Sequence, residues 1–300
     1  MPKPQPKPKK PQVILIAGPT ASGKSALALR LAEKIGGAII NADSMQVYGD
    51  LRIITARPGE DDLARAPHLL YGHVPARAAY SAGRFVADAA KAIAAARARG
   101  KVPIVVGGTG LYFKALVEGL SPVPPADAGV RAHWRREADA KGAEALHAIL
   151  GDRDPVMAAR LAPTDAQRIV RALEVLETTG LSLADWQRQR TTPVVEEAGA
   201  LRLLLNLDRD ELHARAHARV DAMLAAGAID EAAALAALDL DPALPAMRAI
   251  GVRPLMAAAR GELSAVEAGD AMKTETRQYI KRQQTWMRRY MIAWKYVSEQ

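Results

Sequence analysis

From Gln12 the chain runs "QVILIAG", an apolar stretch without alternation, and then turns abruptly to glycine and small polar residues. A short continuous apolar run bounded by turn residues is the pattern of a strand buried on both faces. "KSALALRLAEKIGG" follows with apolar positions at helical spacing and glycines beyond its end, which predicts an amphipathic helix. "AII" before Asn41 and "VPIVVGG" from Val102 repeat the buried-strand pattern, and between them "SAGRFVADAAKAIAAARARG" predicts a helix capped by Ser81 and ended by Gly100. Strands alternating with helices predict a parallel sheet in an α/β fold. At "SPVPPAD" the pattern changes: only helices are expected until "RTTPVV" supplies a linker and "LRLLLNL" another strand. A long helical run is expected from Arg209, closing in an edge strand within "MIAWKYVS". The predicted organisation is a disordered basic tail over 1–12, an α/β core with C-terminal helices over 13–120 and 196–300, and a helical insertion over 121–195.

Between the first strand and the first helix stands "GPTASGKS", that is Gly18, Pro19, Thr20, Ala21, Ser22, Gly23, Lys24 and Ser25. It matches the phosphate-loop pattern at Gly18, Gly23, Lys24 and Ser25, in the strand–loop–helix setting that the pattern requires. Backbone N–H groups at the helix start cradle a diphosphate, Lys24 adds a point charge, and the Ser25 hydroxyl is placed to ligate Mg²⁺. The loop alone does not say which phosphorylated molecule it grips. In a hydrolysing ATPase the strand in "IVVGGTGLY" would commonly end in an acidic residue, but here it ends in Gly107, Gly108 and Thr109. The nearby acid is Asp43 in "NADSMQVY", just past the second strand and on the rim where parallel sheets bind ligands. Asp43 is either a general base beside the diphosphate or a cap for its own turn. Thr109 precedes a helix "GLYFKALVEG" and can serve as its N-cap.

Composition narrows the class. Three hundred residues, 49% of them apolar, can bury a large core, which favours one domain carrying an insertion over two unrelated domains. No cysteine is present, which excludes disulfides, thiolate metal sites and a thiol nucleophile and suits a reducing cytoplasm. No run reaches the roughly 18 apolar residues of a membrane span, and "VILIAG" is too short for a secretory signal, so a cytoplasmic protein without membrane contact is expected.

The formal net charge of +8 is concentrated at the two ends, in Lys3, Lys7, Lys9 and Lys10 and in the segment from Lys273 onward. Such local surpluses suit a polyanion. At 100° per residue, Tyr279, Ile280, Trp286, Met287, Tyr290, Met291 and Trp294 fall on one arc, with Arg277, Lys281, Arg288 and Lys295 opposite. The first face predicts packing and the second a ridge for phosphate. In "TDAQRIVRALEVLETTG", Ile169, Leu173 and Leu176 predict a core stripe, while Gln167, Arg168 and Arg171 share the other side, read from spacing alone as a solvated charged face. His213 and His217 stand one helical turn apart, but without a third ligand they read as surface histidines rather than a zinc site.

Six segments together, "GPTASGKS", "ADSMQVY", "GGTGLY", "PTDAQRIVRALEV", "RAIG" and "RQYIKRQQTWMRR", resemble the tRNA dimethylallyltransferases in order and spacing from residue 13 to about 290. The resemblance implies a P-loop NTPase-like parallel sheet core with an inserted all-helical domain, a loop that grips dimethylallyl diphosphate instead of ATP, and alkylation of the exocyclic amine of the adenosine 3′ of the anticodon. It implies Lys24, Asp43 and Thr109 as catalytic groups, with Lys24, Ser25, Mg²⁺ and the loop amides neutralising the leaving group. It also implies a diphosphate-contacting arginine, for which Arg219 stands ahead of Arg215. Asp43, Ser44, Met45 and Gln46 would face the flipped base, with Gln46 pairing to adenine edges. Arg131 and the run Gln167, Arg168, Ile169, Val170 and Arg171 match segments that touch tRNA, and the insertion is expected to clamp the anticodon stem-loop. One chain would supply every part, so a monomer is expected. Ile54 and Arg57 in "IITARP", and Val252 and Pro254 after "RAIG", depart from the family pattern. The same phosphate loop would also serve a small-molecule kinase using ATP, or an RNA-binding NTP switch without group transfer.

Overall fold

The structure is a computed structural model that describes residues 11–297, so most of the expected basic tail lies outside the described residues. Gln12, assigned to that tail, donates its N–H to the Gly199 carbonyl at 2.9 Å and so belongs to the folded core.

The chain opens with β1 (Val13–Ala17), α1 (Lys24–Ile35), β2 (Gly37–Asn41), a short α2 (Glu60–Arg65), β3 (His68–Leu69), α3 (Ala82–Ala98), β4 (Val102–Gly107) and α4 (Gly110–Glu118). The Ser81 hydroxyl accepts from Arg84 N–H at 3.2 Å and starts α3 as its side chain predicts. Four helices follow: α5 (Ala128–Arg153), interrupted at Gly142 where φ is 78°, α6 (Pro155–Ala158), α7 (Ala166–Thr179) and α8 (Leu183–Trp186). They make up a compact unit, Glu118–Pro193, with its own core of Trp134, Leu146, Leu150, Ile169 and Leu173. The sheet resumes with β5 (Ala200–Leu205), followed by α9 (Arg209–Ala225), α10 (Ala228–Ala236), α11 (Val252–Ala259), α12 (Ala265–Tyr290) and β6 (Lys295–Val297). The predicted run from Arg209 is thus four helices, broken where Gly227, Gly251 and Gly261 take φ of 95°, 85° and 75°.

In the core unit six parallel strands lie in the order β3-β2-β4-β1-β5-β6. Both faces are covered, which explains the unbroken apolar strands. Ile14, Ile16, Ile39, Ile104 and Val106 pack against Ala28, Leu29 and Ala32 of α1, while Val13, Leu15, Ile40 and Val105 belong to the cluster holding Phe85 and Ile93 of α3 and Phe113 of α4. Each such isoleucine is worth about 2–3 kcal/mol of apolar burial. β1 and β4 are neighbours with Ala17 opposite Gly107, so the loops after them emerge side by side. β2 pairs with β4 on its other edge, Asn41 opposite Val106, which brings the turn at Asp43 to the same rim.

The last helix stops earlier than its amphipathic pattern suggests. A capping box between Ser264 and Glu267 starts α12, and Met291 ends it. Trp294 is still buried, edge-on to Phe113 at 5.3 Å, but Lys295 leaves the predicted basic ridge and begins the edge strand β6. No helix of the described residues is long and apolar enough to cross a membrane.

Candidate active site

The phosphate loop is built by two left-handed residues, Ala21 (φ 66°) and Gly23 (φ 80°), which turn the backbone tightly into α1. Turns of this kind aim N–H groups into an anion-binding concavity. Gly18 is required because a Cβ there would lie 2.5 Å from the Ser22 hydroxyl. Ser22 itself is fully buried, and its Oγ has no protein partner. Lys24 reaches back to the Pro19 carbonyl at 3.2 Å. Burial lowers its pKa to about 8, the charge of Arg219 lowers it too, and Asp43 opposes them. Ser25, in the first turn of α1, is exposed.

Asn41 is fully buried and fixes the turn beyond β2: its Nδ2 donates to the Asp43 and Leu70 carbonyls at 2.9 and 3.0 Å, and its Oδ1 accepts from Asp43 N–H at 2.8 Å. Asp43 Oδ1 accepts from the N–H groups of Met45 at 2.9 Å and Gln46 at 3.4 Å, so one oxygen does cap the turn. Oδ2 takes neither bond. Thr109 Oγ1 accepts from Ser44 N–H at 2.9 Å and donates to Ser44 Oγ at 3.3 Å. The threonine hydroxyl therefore serves the Asp43–Ser44 turn rather than capping α4. Burial raises the pKa of Tyr279, Tyr112 and Tyr71, and the Asp43 charge raises each further, which keeps three neutral phenols around the carboxylate.

Two cavities open on these groups. One of about 320 Å³ is lined by Lys24, Ser25, Asp43, Ser44, Gln46 and Arg219, with Tyr279 and Arg282 from α12 and Arg248 from "RAIG". The other, of about 500 Å³, shares Lys24, Ser25 and Arg219 and continues past Leu29, Ile39 and Tyr71. The exposed surface of Arg219 faces these cavities, and the protein crowded around it lowers its pKa while Asp43 opposes the change. Arg215 pairs with Glu211 at 2.7 Å and lines neither cavity, which agrees with the order that put Arg219 ahead of it.

Some expectations need correction. Gln46 Nε2 donates to the carbonyls of Thr55 and Ala56, both at 2.9 Å, so its two amide hydrogens are engaged and only its oxygen is left to face an adenine edge. Ile169 is fully buried in the core of the helical unit and cannot touch RNA through its side chain. Around it Gln167 is exposed, Val170 half-buried, and Arg168 largely exposed while bonded to Asp165 at 2.9 Å. Arg171 and Arg131 both approach Glu174, at 3.3 and 4.0 Å. On α12, Lys281 and Arg288 are exposed as expected, but Arg277 is turned to His217 at 3.2 Å and Thr274 at 3.0 Å. Among the described residues no group of three or more His, Asp or Glu is gathered so that it could hold a metal ion.

The residues that depart from the family pattern are explained locally. Ile54 is buried in the core, Arg57 bonds the Tyr48 and Gly49 carbonyls at 3.0 and 3.3 Å, Val252 is fully buried, and Pro254 sits in the first turn of α11, where no N–H is needed. Sequence reasoning missed Arg248, Arg282 and Gln283, and took Tyr279 for core. Gln283 had a signal: it is the polar residue on the buried stripe of Ile280 and Met287.

Comparison with known proteins agrees with this geometry. The family described as IPP transferase matches residues 46–290. A tRNA dimethylallyltransferase of Nitrobacter hamburgensis is 55% identical over 285 residues, covering 95% of this chain and 90% of that protein. One from Rhodopseudomonas palustris is 55% identical over 291 residues, covering 97% and 92%. Among solved structures, the full-length tRNA isopentenylpyrophosphate transferase of Bacillus halodurans is similar at 31% identity and a TM-score of 0.67, covering 96% of this chain and 90% of that one. A eukaryotic dimethylallyltransferase acting on tRNA reaches a TM-score of 0.78 at 30% identity, covering 94% and 71%.

Proposed function

The chain belongs to the IPP transferase family, and from that premise we propose how its residues carry the reaction. It is a tRNA dimethylallyltransferase: it moves the dimethylallyl group of dimethylallyl diphosphate to the exocyclic amine of the adenosine 3′ of the anticodon and releases diphosphate. The observation that supports this division of labour best is that Asp43 lines one cavity wall with Lys24, Ser25 and Arg219. A base and a diphosphate grip side by side are what an alkylation needs.

The diphosphate sits where the two cavities meet, held by the N–H groups of the phosphate loop, Lys24 and Arg219. The adenine leaves the anticodon-loop stack and enters the smaller cavity, where Tyr279 and Arg282 offer a ring face and a charge. The amine nitrogen attacks the allylic carbon. As the new C–N bond forms, the C–O bond breaks and its electron pair leaves with the diphosphate. Asp43 takes the amine proton through Oδ2 while Oδ1 stays bonded to the turn, and the Gln46 oxygen accepts from the amine. Thr109 keeps the Asp43–Ser44 turn in register.

Ser25 fits a magnesium site, since Mg²⁺ takes oxygen ligands and is commonly held by one or two protein groups together with phosphate oxygens and water. When bound, the ion would supply further neutralisation of the leaving group. Lys281 and Arg288 on α12, and Arg131, Arg168 and Arg171 in the helical unit, are the proposed phosphate contacts. We read the protein as a monomer, because the phosphate loop, Asp43 and Arg219 that the reaction needs all belong to one sequence, and as acting in the cytoplasm with its tRNA substrate. A small-molecule kinase is not favoured, because β4 ends at Gly107 where a phosphoryl-transfer enzyme would commonly carry an acid, and the relatives are tRNA dimethylallyltransferases. The test is diphosphate release: it should require dimethylallyl diphosphate and unmodified tRNA together, and release without tRNA, or none with it, would contradict the assignment.

A further inference from the structure

One buried side chain ties together the supports of the chemistry. Gln283 is 5% exposed on the packed face of α12 and lines neither cavity. A buried amide must satisfy both its donor and its acceptor. It does so with two loops: Oε1 accepts from Thr20 N–H at 2.9 Å, and Nε2 donates to the Gly108 carbonyl at 3.0 Å. Thr20 belongs to the phosphate loop, and Gly108 precedes Thr109, which holds Ser44 beside Asp43. Gly108 has no room for a side chain because the Gln283 amide fills that space.

We propose that Gln283 is a positioning residue for the transfer, fixing the distance between the phosphate loop that grips the donor and the turn that carries Thr109 and, through Ser44, Asp43. This inference rests on the transferase reading. A leucine would fill the same volume but leave the Thr20 N–H and the Gly108 carbonyl without their partner, freeing the two loops to drift apart.

The test uses the full chain with dimethylallyl diphosphate and unmodified tRNA. Gln283→Leu should lower kcat by about 10- to 100-fold with KM for tRNA within about twofold, since a displacement of about 1 Å between reacting groups costs that much. Gln283→Glu supplies a readout that lost packing would not move. Its ionised carboxylate accepts from Thr20 but repels the Gly108 carbonyl, whereas the protonated acid donates as the amide did. Its kcat relative to wild type should therefore climb as pH falls from about 8 to about 6, while the ratio for Gln283→Leu stays flat. A leucine variant with wild-type kcat overturns the proposal. So does a pH-independent ratio for Gln283→Glu, which decides the matter if the leucine variant does not fold. Failure of the wild type to transfer overturns the transferase reading as well, whereas wild-type transfer with an unaltered leucine variant overturns this inference alone.

Discussion

Asp43 and Lys24 share the wall of one cavity, and the carboxylate holds up a lysine pKa that burial and Arg219 together bring down to about 8. The base and the diphosphate grip are therefore electrically coupled before any substrate arrives. Filling the grip with a polyanion strengthens the charged form of Lys24, and losing that anion weakens it.

Donor affinity should depend on pH through Lys24. In the free enzyme its pKa is about 8, and bound diphosphate raises it, so binding takes up a proton above that value. Affinity is fully present below about pH 8 and falls as pH rises through it, since the ligand must then charge a neutral amine. Titration of dimethylallyl diphosphate across that range should show the decline in the wild type, and Lys24→Met should bind about 10- to 1000-fold more weakly with a flat profile.

Asp43→Asn keeps an oxygen to accept from Met45 and Gln46 N–H while removing the proton acceptor. Single-turnover transfer should drop by about 10²- to 10⁴-fold, with tRNA affinity nearly unchanged. Unaltered turnover would remove Asp43 from the base role.

Lys281→Glu with Arg288→Glu should weaken tRNA binding and reduce the slope of log K against log salt by about one for each phosphate that is no longer neutralised. Arg277→Glu should change that slope less, because Arg277 is occupied by His217 and Thr274. Filter binding at several salt concentrations separates the two.

Glu231 of α10 accepts three backbone N–H groups, from Arg52 at 2.8 Å, Ile53 at 2.7 Å and Ile54 at 2.9 Å, and so anchors the loop whose Thr55 and Ala56 carbonyls hold Gln46. Glu231→Ala should cost about 1–3 kcal/mol in chemical denaturation by leaving those groups unsatisfied. It should also raise KM for tRNA, whereas an unchanged KM would detach this loop from base recognition.

The parallel sheet and the phosphate loop were legible in sequence because each rests on a local pattern: continuous apolar strands, a glycine-rich turn and a helix start. Asp43 was legible because its place after β2 is fixed by register. Ile169 was misread, and Gln46 read only in part, for one physical reason. A motif gives residue identity but not which neighbours claim the side chain, and here backbone carbonyls claim one while the core of the helical unit claims the other. Gln283 escaped because its partners lie in loops distant in the chain, a long-range relation that periodicity along one helix does not carry. For the two candidate arginines of α9, the preference for Arg219 rested on resemblance, and the cavity walls supply its physical ground.

The central claim is that the phosphate loop grips an isoprenoid diphosphate that is consumed. Full-length protein with Mg²⁺ and unmodified tRNA carrying adenosine 3′ of the anticodon, given dimethylallyl diphosphate or ATP in separate reactions, should be digested to nucleosides and weighed by mass spectrometry. The account predicts an isopentenyl mass gain on that adenosine with the first donor alone. No gain, with ATP consumed in the other reaction, would contradict it.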